Sequence, residues 1–118
     1  MARPKRDAVL DRIDAAGREL HAPHLLDAEV AQVLRRFFSR KELTAERGRD
    51  ALAQLLLLPV TRYPHALLLP TIWRLRDNVA AYDAAYIALA EILNAPLVTT
   101  DARLARTPGH SATVEVLG

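Results

Sequence analysis

The sequence contains no cysteine, which excludes a disulfide framework, a thiol nucleophile and cysteine-ligated zinc together. Aromatic residues make up only 5%, so a core has to be assembled chiefly from Ala, Leu, Val and Ile. Its four glycines are scattered and form neither a GxGxxG nor a GxxxxGK loop, the patterns whose backbone amides cradle phosphates. No apolar run approaches the roughly 20 residues of a membrane span, and the longest leucine block is Leu55 to Leu58. The chain opens on Arg3, Lys5 and Arg6 with no apolar stretch behind them, which is unlike a secretory leader. The expected location is therefore cytoplasmic. What is present is the balance of a folded globular chain: 118 residues, 51% hydrophobic, 25% charged, net charge +2. One domain over residues 1–118 is expected.

Apolar spacing predicts helices over 5–18, from His24 to about Lys41, from Thr44 to about Leu57, over about 66–76, and from Tyr82 to Leu93. In the second of these, Leu26, Val30, Val33, Leu34 and Phe37 fall on one helical face. Short extended pieces are expected at 20–22, 60–62, 97–100 and 113–117. The piece at 60–62 lies between Pro59 and Pro64, as an edge strand would. Strands alternating with helices of this length imply parallel crossover units and an α/β sandwich. Trp73, spaced with Leu69 and Arg76, is expected in core or interface packing. His21, His24, His65 and His110 fall on different elements, so turn and surface roles are expected rather than zinc binding. Leu55 to Leu58 cannot all face one core, and at least one is expected on a dimer or partner surface. Arg35, Arg36, Arg40 and Lys41 complement a helix dipole. A DNA-binding reading of them lacks a recognition helix after a tight glycine turn.

The helix from Tyr82 to Leu93 is apolar on nearly every side, which sets Asp83 at the edge of a core. An ionised carboxylate there needs a partner. The helix climbs about 17 Å at about 1.5 Å per residue. The strand after it returns about 13 Å at about 3.3 Å per residue, so Asp101 falls beside Asp83. By the same reasoning the helix after 20–22 brings Asp27 and Glu29 to that edge, and the helical wheel does not choose between them. As alternatives, Asp83 and Asp101 can act as helix caps. Arg103 can hold a phosphate or simply lie on the surface, and Thr99 and Thr100 are strand hydroxyls that can reach a metal-bound water. Acids from three distant segments meet here at the edge where open α/β sheets place their sites. They repel unless a cation lies among them. Oxygen donors without cysteine suit Mg2+ or Mn2+, which can activate water and stabilise a phosphodiester transition state.

Three stretches carry a resemblance: Ala22 to Val30 (APHLLDAEV), Tyr82 to Ala90 (YDAAYIALA) and Leu97 to Leu104 (LVTTDARL). In this order they resemble PIN-domain ribonucleases, and above all the VapC-type toxins of bacterial toxin–antitoxin pairs, over roughly residues 5–118. The resemblance implies a PIN-like three-layer α/β/α sandwich with a short, mostly parallel sheet. It implies a Mg2+- or Mn2+-dependent endoribonuclease, often a homodimer, held inactive by a cognate antitoxin. Glu29, Asp83 and Asp101 match the family's catalytic, metal-ligating acids, and Thr99 matches the hydroxyl residue two positions before the last of them. Asp27 matches no family role and is expected to be a solvated helix acid.

The family also begins with a hydrophobic strand ending in a metal-binding Asp. Here residues 1–7 lead straight into the first helix, and Asp7, Asp11 and Asp14 lie on that helix. The central strand, between those at 20–22 and 97–100, is thus expected to be missing. The preferred explanation is a shortened reading of an ordinary toxin, over a degraded remnant or a gap filled by another segment or chain. Cleavage is expected to be weak or absent as encoded. The alternative function is a catalytically inactive remnant that still binds antitoxin as an interaction protein.

Overall fold

The computed structural model describes residue 12 and residues 19–117. The helix expected over 5–18, the basic trio Arg3, Lys5 and Arg6, and Asp7, Asp11 and Asp14 lie outside the described residues. Arg12 is the exception in that stretch, and its guanidinium pairs with Glu115.

Chain order runs β1 (Leu20–Pro23), α1 (Leu25–Ser39), α2 (Ala45–Leu57), β2 (Val60–Tyr63), a 3-10 turn (His65–Leu68) and α3 (Leu69–Arg74). Then come α4 (Ala81–Leu93), β3 (Leu97–Thr99), a second 3-10 turn (Ala102–Arg106) and β4 (Val114–Val116). Thr44 caps α2 as its sequence position suggests, its hydroxyl accepting from the Arg47 amide at 3.2 Å. At α1, His24 offers no side-chain cap; instead His65 reaches across and its Nε2 accepts from the Leu25 amide at 3.1 Å. The helix expected over 66–76 is shorter and in two parts. Its α-helical part starts at Leu69, with Pro70 in the first turn, where a missing N–H breaks no bond. Asn94 ends α4 with φ 50°, a left-handed cap that asparagine tolerates.

The strands form two parallel pairs, β1 with β2 (Leu20 opposite Val60) and β3 with β4 (Leu97 opposite Val114). Among the described residues no ladder joins the pairs, so β1 and β3 are each bonded on one side only. α4 packs against β1 and β3 alike and so bridges the two sheets. Its buried residues are Ala84, Ala85, Ile87, Ala88, Leu89 and Ala90, the nearly all-apolar surface read from the sequence. Two small clusters form around it. Leu68 closes one with Ala85, Ala88 and Leu89; Leu75 closes the other with Ala84, Ile87 and Leu104.

The outer helices differ from expectation. α1 and α2 contain no buried residue, and Phe37, on the apolar face of α1, is 42% exposed. Trp73 is also on the surface, its ring under the Arg76 guanidinium at 4.7 Å rather than in the core. Of the four consecutive leucines, Leu56, Leu57 and Leu58 are exposed. No helix among the described residues is long and apolar enough to cross a membrane.

Asp27 is not the solvated acid expected. Arg62 of β2 donates through Nε to both its carboxylate oxygens, at 3.0 and 2.8 Å. The same guanidinium donates to the Val60 and Leu55 carbonyls at 3.3 and 3.2 Å, tying β2 to the first turn of α1 and the last of α2. The Leu55 carbonyl, at the end of α2, also accepts from the Leu58 amide at 3.2 Å, so Arg62 is its second donor. Arg62→Ala is therefore expected to destabilise the chain by about 1–3 kcal/mol, measured by denaturant unfolding. A change within about 0.5 kcal/mol would show the staple to be no more than a surface ion pair.

Candidate active site

β1, β3 and α4 determine what lies at one edge of the molecule. β1 runs into α1 at Pro23, which places Glu29 in the second turn of that helix, exposed. α4 starts there too, so Asp83 occupies the third residue of a helix, half-buried, where the dipole favours a negative charge. β3 delivers Asp101 just past Thr99.

Glu29 is held by a residue the sequence reading did not single out. The Tyr86 hydroxyl donates to Glu29 Oε1, joining α4 to α1. Burial, that hydrogen bond, and the negative charges of Glu29, Asp27 and Asp83 together push the Tyr86 phenol well above its ordinary range. The available signal was local: Tyr86 lies one helical turn past Asp83, and a half-buried phenol seeks an acceptor.

The Asp101 carboxylate accepts four hydrogen bonds, all from Arg103. Its Oδ1 accepts from the Arg103 amide at 3.0 Å, the helix-capping role given above as an alternative. Arg103 also donates from Nε to both carboxylate oxygens, at 3.0 and 3.1 Å, and from Nη2 to Oδ2 at 2.6 Å. Thr99, for its part, accepts from the Asp101 amide at 3.0 Å and so fixes the backbone on which the acid stands. The Arg103 side chain, its amide and its charge draw the Asp101 carboxyl down to about 2. Asp101 and, more weakly, Asp83 raise the Arg103 guanidinium in return. Of the two roles open to Arg103, a phosphate contact or a place on the surface, its side chain is exposed and bonded to an acid of the same edge.

The sign of the Asp101 effect is fixed by its direction. A carboxyl lower in the folded chain than in the unfolded one, where it is about 3.9, adds stability above that value. The contribution is lost as pH falls towards 2. In Arg103→Ala the Asp101 carboxyl is expected to titrate near its ordinary value, followed by NMR of its carboxyl carbon. A midpoint still near 2 would assign the shift to something other than Arg103.

Glu29, Asp83 and Asp101 therefore lie at one edge, linked through Tyr86 and Arg103, both of which sense Asp83. Among the described residues, however, no three His, Cys, Asp or Glu side chains come together closely enough to hold a metal ion. The donors have the oxygen chemistry of a hard divalent site. Their arrangement does not form one.

Comparison with known proteins places this geometry in context. The family model described as PIN domain matches residues 2–110. Ribonuclease VapC9 of Mycobacterium tuberculosis is 52% identical over 92 residues, covering 78% of this chain and 72% of that protein. Ribonuclease VapC1 of the same organism is 47% identical over 98 residues, 82% of this chain and 74% of that protein. Ribonuclease VapC12, again of that organism, is 37% identical over 101 residues, 86% and 78% of the two.

Proposed function

The chain belongs to the PIN-domain family, in its VapC-type branch, and on that premise we propose that it is an endoribonuclease toxin of a toxin–antitoxin pair, which cuts RNA phosphodiester bonds and so restrains translation or growth. Glu29, Asp83 and Asp101 are the acids of this activity, Thr99 sets the backbone of Asp101, and Mg2+ or Mn2+ is the ion their oxygens suit. The observation that carries this reading is the gathering of acids from three distant segments at the carboxyl ends of β1 and β3. Tyr86 holds Glu29 and Arg103 holds Asp101, so neither carboxylate is free as arranged. Weak cleavage is the expected result. Arg103 would have to leave Asp101 to meet a phosphate.

The same two contacts favour a second reading, a catalytically inactive protein that binds antitoxin. Phe37 and Phe38 of α1 and Leu56 and Leu57 of α2 are exposed apolar residues suited to an antitoxin or to a second copy of the chain in a homodimer. The test is RNA cleavage in Mg2+ by the chain and by Asp83→Asn. Cleavage by the first alone supports the enzyme. Co-purification with a small DNA-binding partner, without cleavage, supports the binder.

A further inference from the structure

Beside Glu29 the surface opens into a shallow groove of about 270 Å³, lined by Leu25, Ala28, Glu29 and Gln32 of α1 and Tyr82 of α4. That is slightly below the roughly 300–1,000 Å³ of pockets for drug-sized ligands and suits a single planar ring system. Tyr82 is unusual among the chain's three tyrosines. Tyr63 bonds His21 through its hydroxyl and Tyr86 bonds Glu29, while Tyr82 has no polar partner among the described residues and is 68% exposed. A flat, amphipathic ring thus lines a groove whose exposed surface is mainly apolar, one residue from Asp83.

We propose that this groove takes one base of a single-stranded RNA, stacked on Tyr82 over Leu25 and Ala28. The proposal rests on the nuclease reading and extends it to how the strand is held. Stacking on an aromatic face tolerates every base, whereas a duplex keeps its bases out of reach. Charge gives the strand its course. Away from the scissile phosphate the acids repel the strand, but Arg35 and Arg36 follow Gln32 by three and four positions on the same side of α1, and both are exposed. Past Asp101 stands the exposed Arg106, while Arg103 is engaged by Asp101 itself. The acid edge is therefore flanked by cations, with the groove between it and the α1 pair.

The experiment measures binding, independently of cleavage. A fluorescein-labelled 2′-O-methyl RNA decamer, which has no free 2′-hydroxyl, is titrated with the full chain, Tyr82→Phe and Tyr82→Leu, and anisotropy is followed. Tyr82→Phe keeps the ring and is expected to bind as the unaltered chain does. Tyr82→Leu keeps apolar bulk without a flat face and is expected to bind about tenfold more weakly. Equal binding by the chain and Tyr82→Leu overturns the base site, leaves the nuclease reading standing, and points to another occupant such as a partner's apolar side chain. If the unaltered chain binds no single strand at all, the nuclease reading fails and the base site with it.

Discussion

Asp83→Asn is expected to lower Mg2+-dependent RNA cleavage by about 10²-fold, or to the background measured in EDTA where the starting rate is small. Asn has nearly the same shape as Asp and can still hydrogen-bond at the start of α4, so the substitution removes a charge and little else. The lost helix-dipole contribution is about 0.3–1 kcal/mol, too little to unfold the chain. Of the three acids, Asp83 is the least committed: Glu29 accepts from Tyr86 and Asp101 is bonded to Arg103, whereas Asp83 has no side-chain hydrogen bond among the described residues. It is also the carboxylate that both Tyr86 and Arg103 sense, which places it between the other two electrostatically. Removing its charge weakens the attraction of that edge for any divalent cation. Equal rates for the two proteins in Mg2+, with unfolding curves that coincide, would remove Asp83 from the activity.

The periodicity of the sequence locates the helices because one stripe of apolar side chains is enough to mark a helical face. It says nothing of what covers that face. Leu26, Val30, Val33, Leu34 and Phe37 have the spacing of a core-facing helix, yet α1 buries none of them among the described residues. α4 was easier to read, because a helix apolar on nearly all sides has to lie inside. The acids show the same division. Chain lengths of helix and strand are enough to bring Asp83 and Asp101 to one edge, since rise per residue is fixed. Periodicity does not separate Asp27 from Glu29, because what distinguishes their surroundings is a partner far along the chain in each case. Arg62 on β2 takes Asp27 and Tyr86 on α4 meets Glu29. The pairing of β1 with β2 and of β3 with β4, leaving two sheets, likewise depends on long-range contacts that no short window contains.

Leu75→Ala is expected to destabilise the chain by about 2–5 kcal/mol, the range for emptying a fully buried leucine site. Leu75 has no exposed surface and closes the cluster of Ala84, Ile87 and Leu104, with Ile72, Val79, Leu97 and Val114 packed around it. Few neighbours can move in to fill the space. The residue is pinned just past the end of α3, its amide donating to Thr71 at 3.1 Å and its carbonyl accepting from Asn78 at 2.9 Å and Val79 at 3.1 Å. Gly109, with φ 90°, stands against the same side chain, and a Cβ there would meet Asn78 Nδ2 at 2.8 Å, so that turn is tightly packed as well. Two of the partners of Leu75, Ala84 and Ile87, belong to the helix that carries Asp83, so loss of packing here loosens the candidate site from beneath. A domain of ordinary stability has about 5–15 kcal/mol in total, and the melting temperature should fall by roughly 10–20 °C. Leu57→Ala is the contrasting case: the side chain is 84% exposed, and its removal should change stability by about 0.5 kcal/mol or less. Comparable losses in the two variants would mean that Leu57 is covered in solution, by a second copy or a partner, and a negligible loss in Leu75→Ala would mean that the Ala84–Ile87–Leu104 cluster is not the core of this fold.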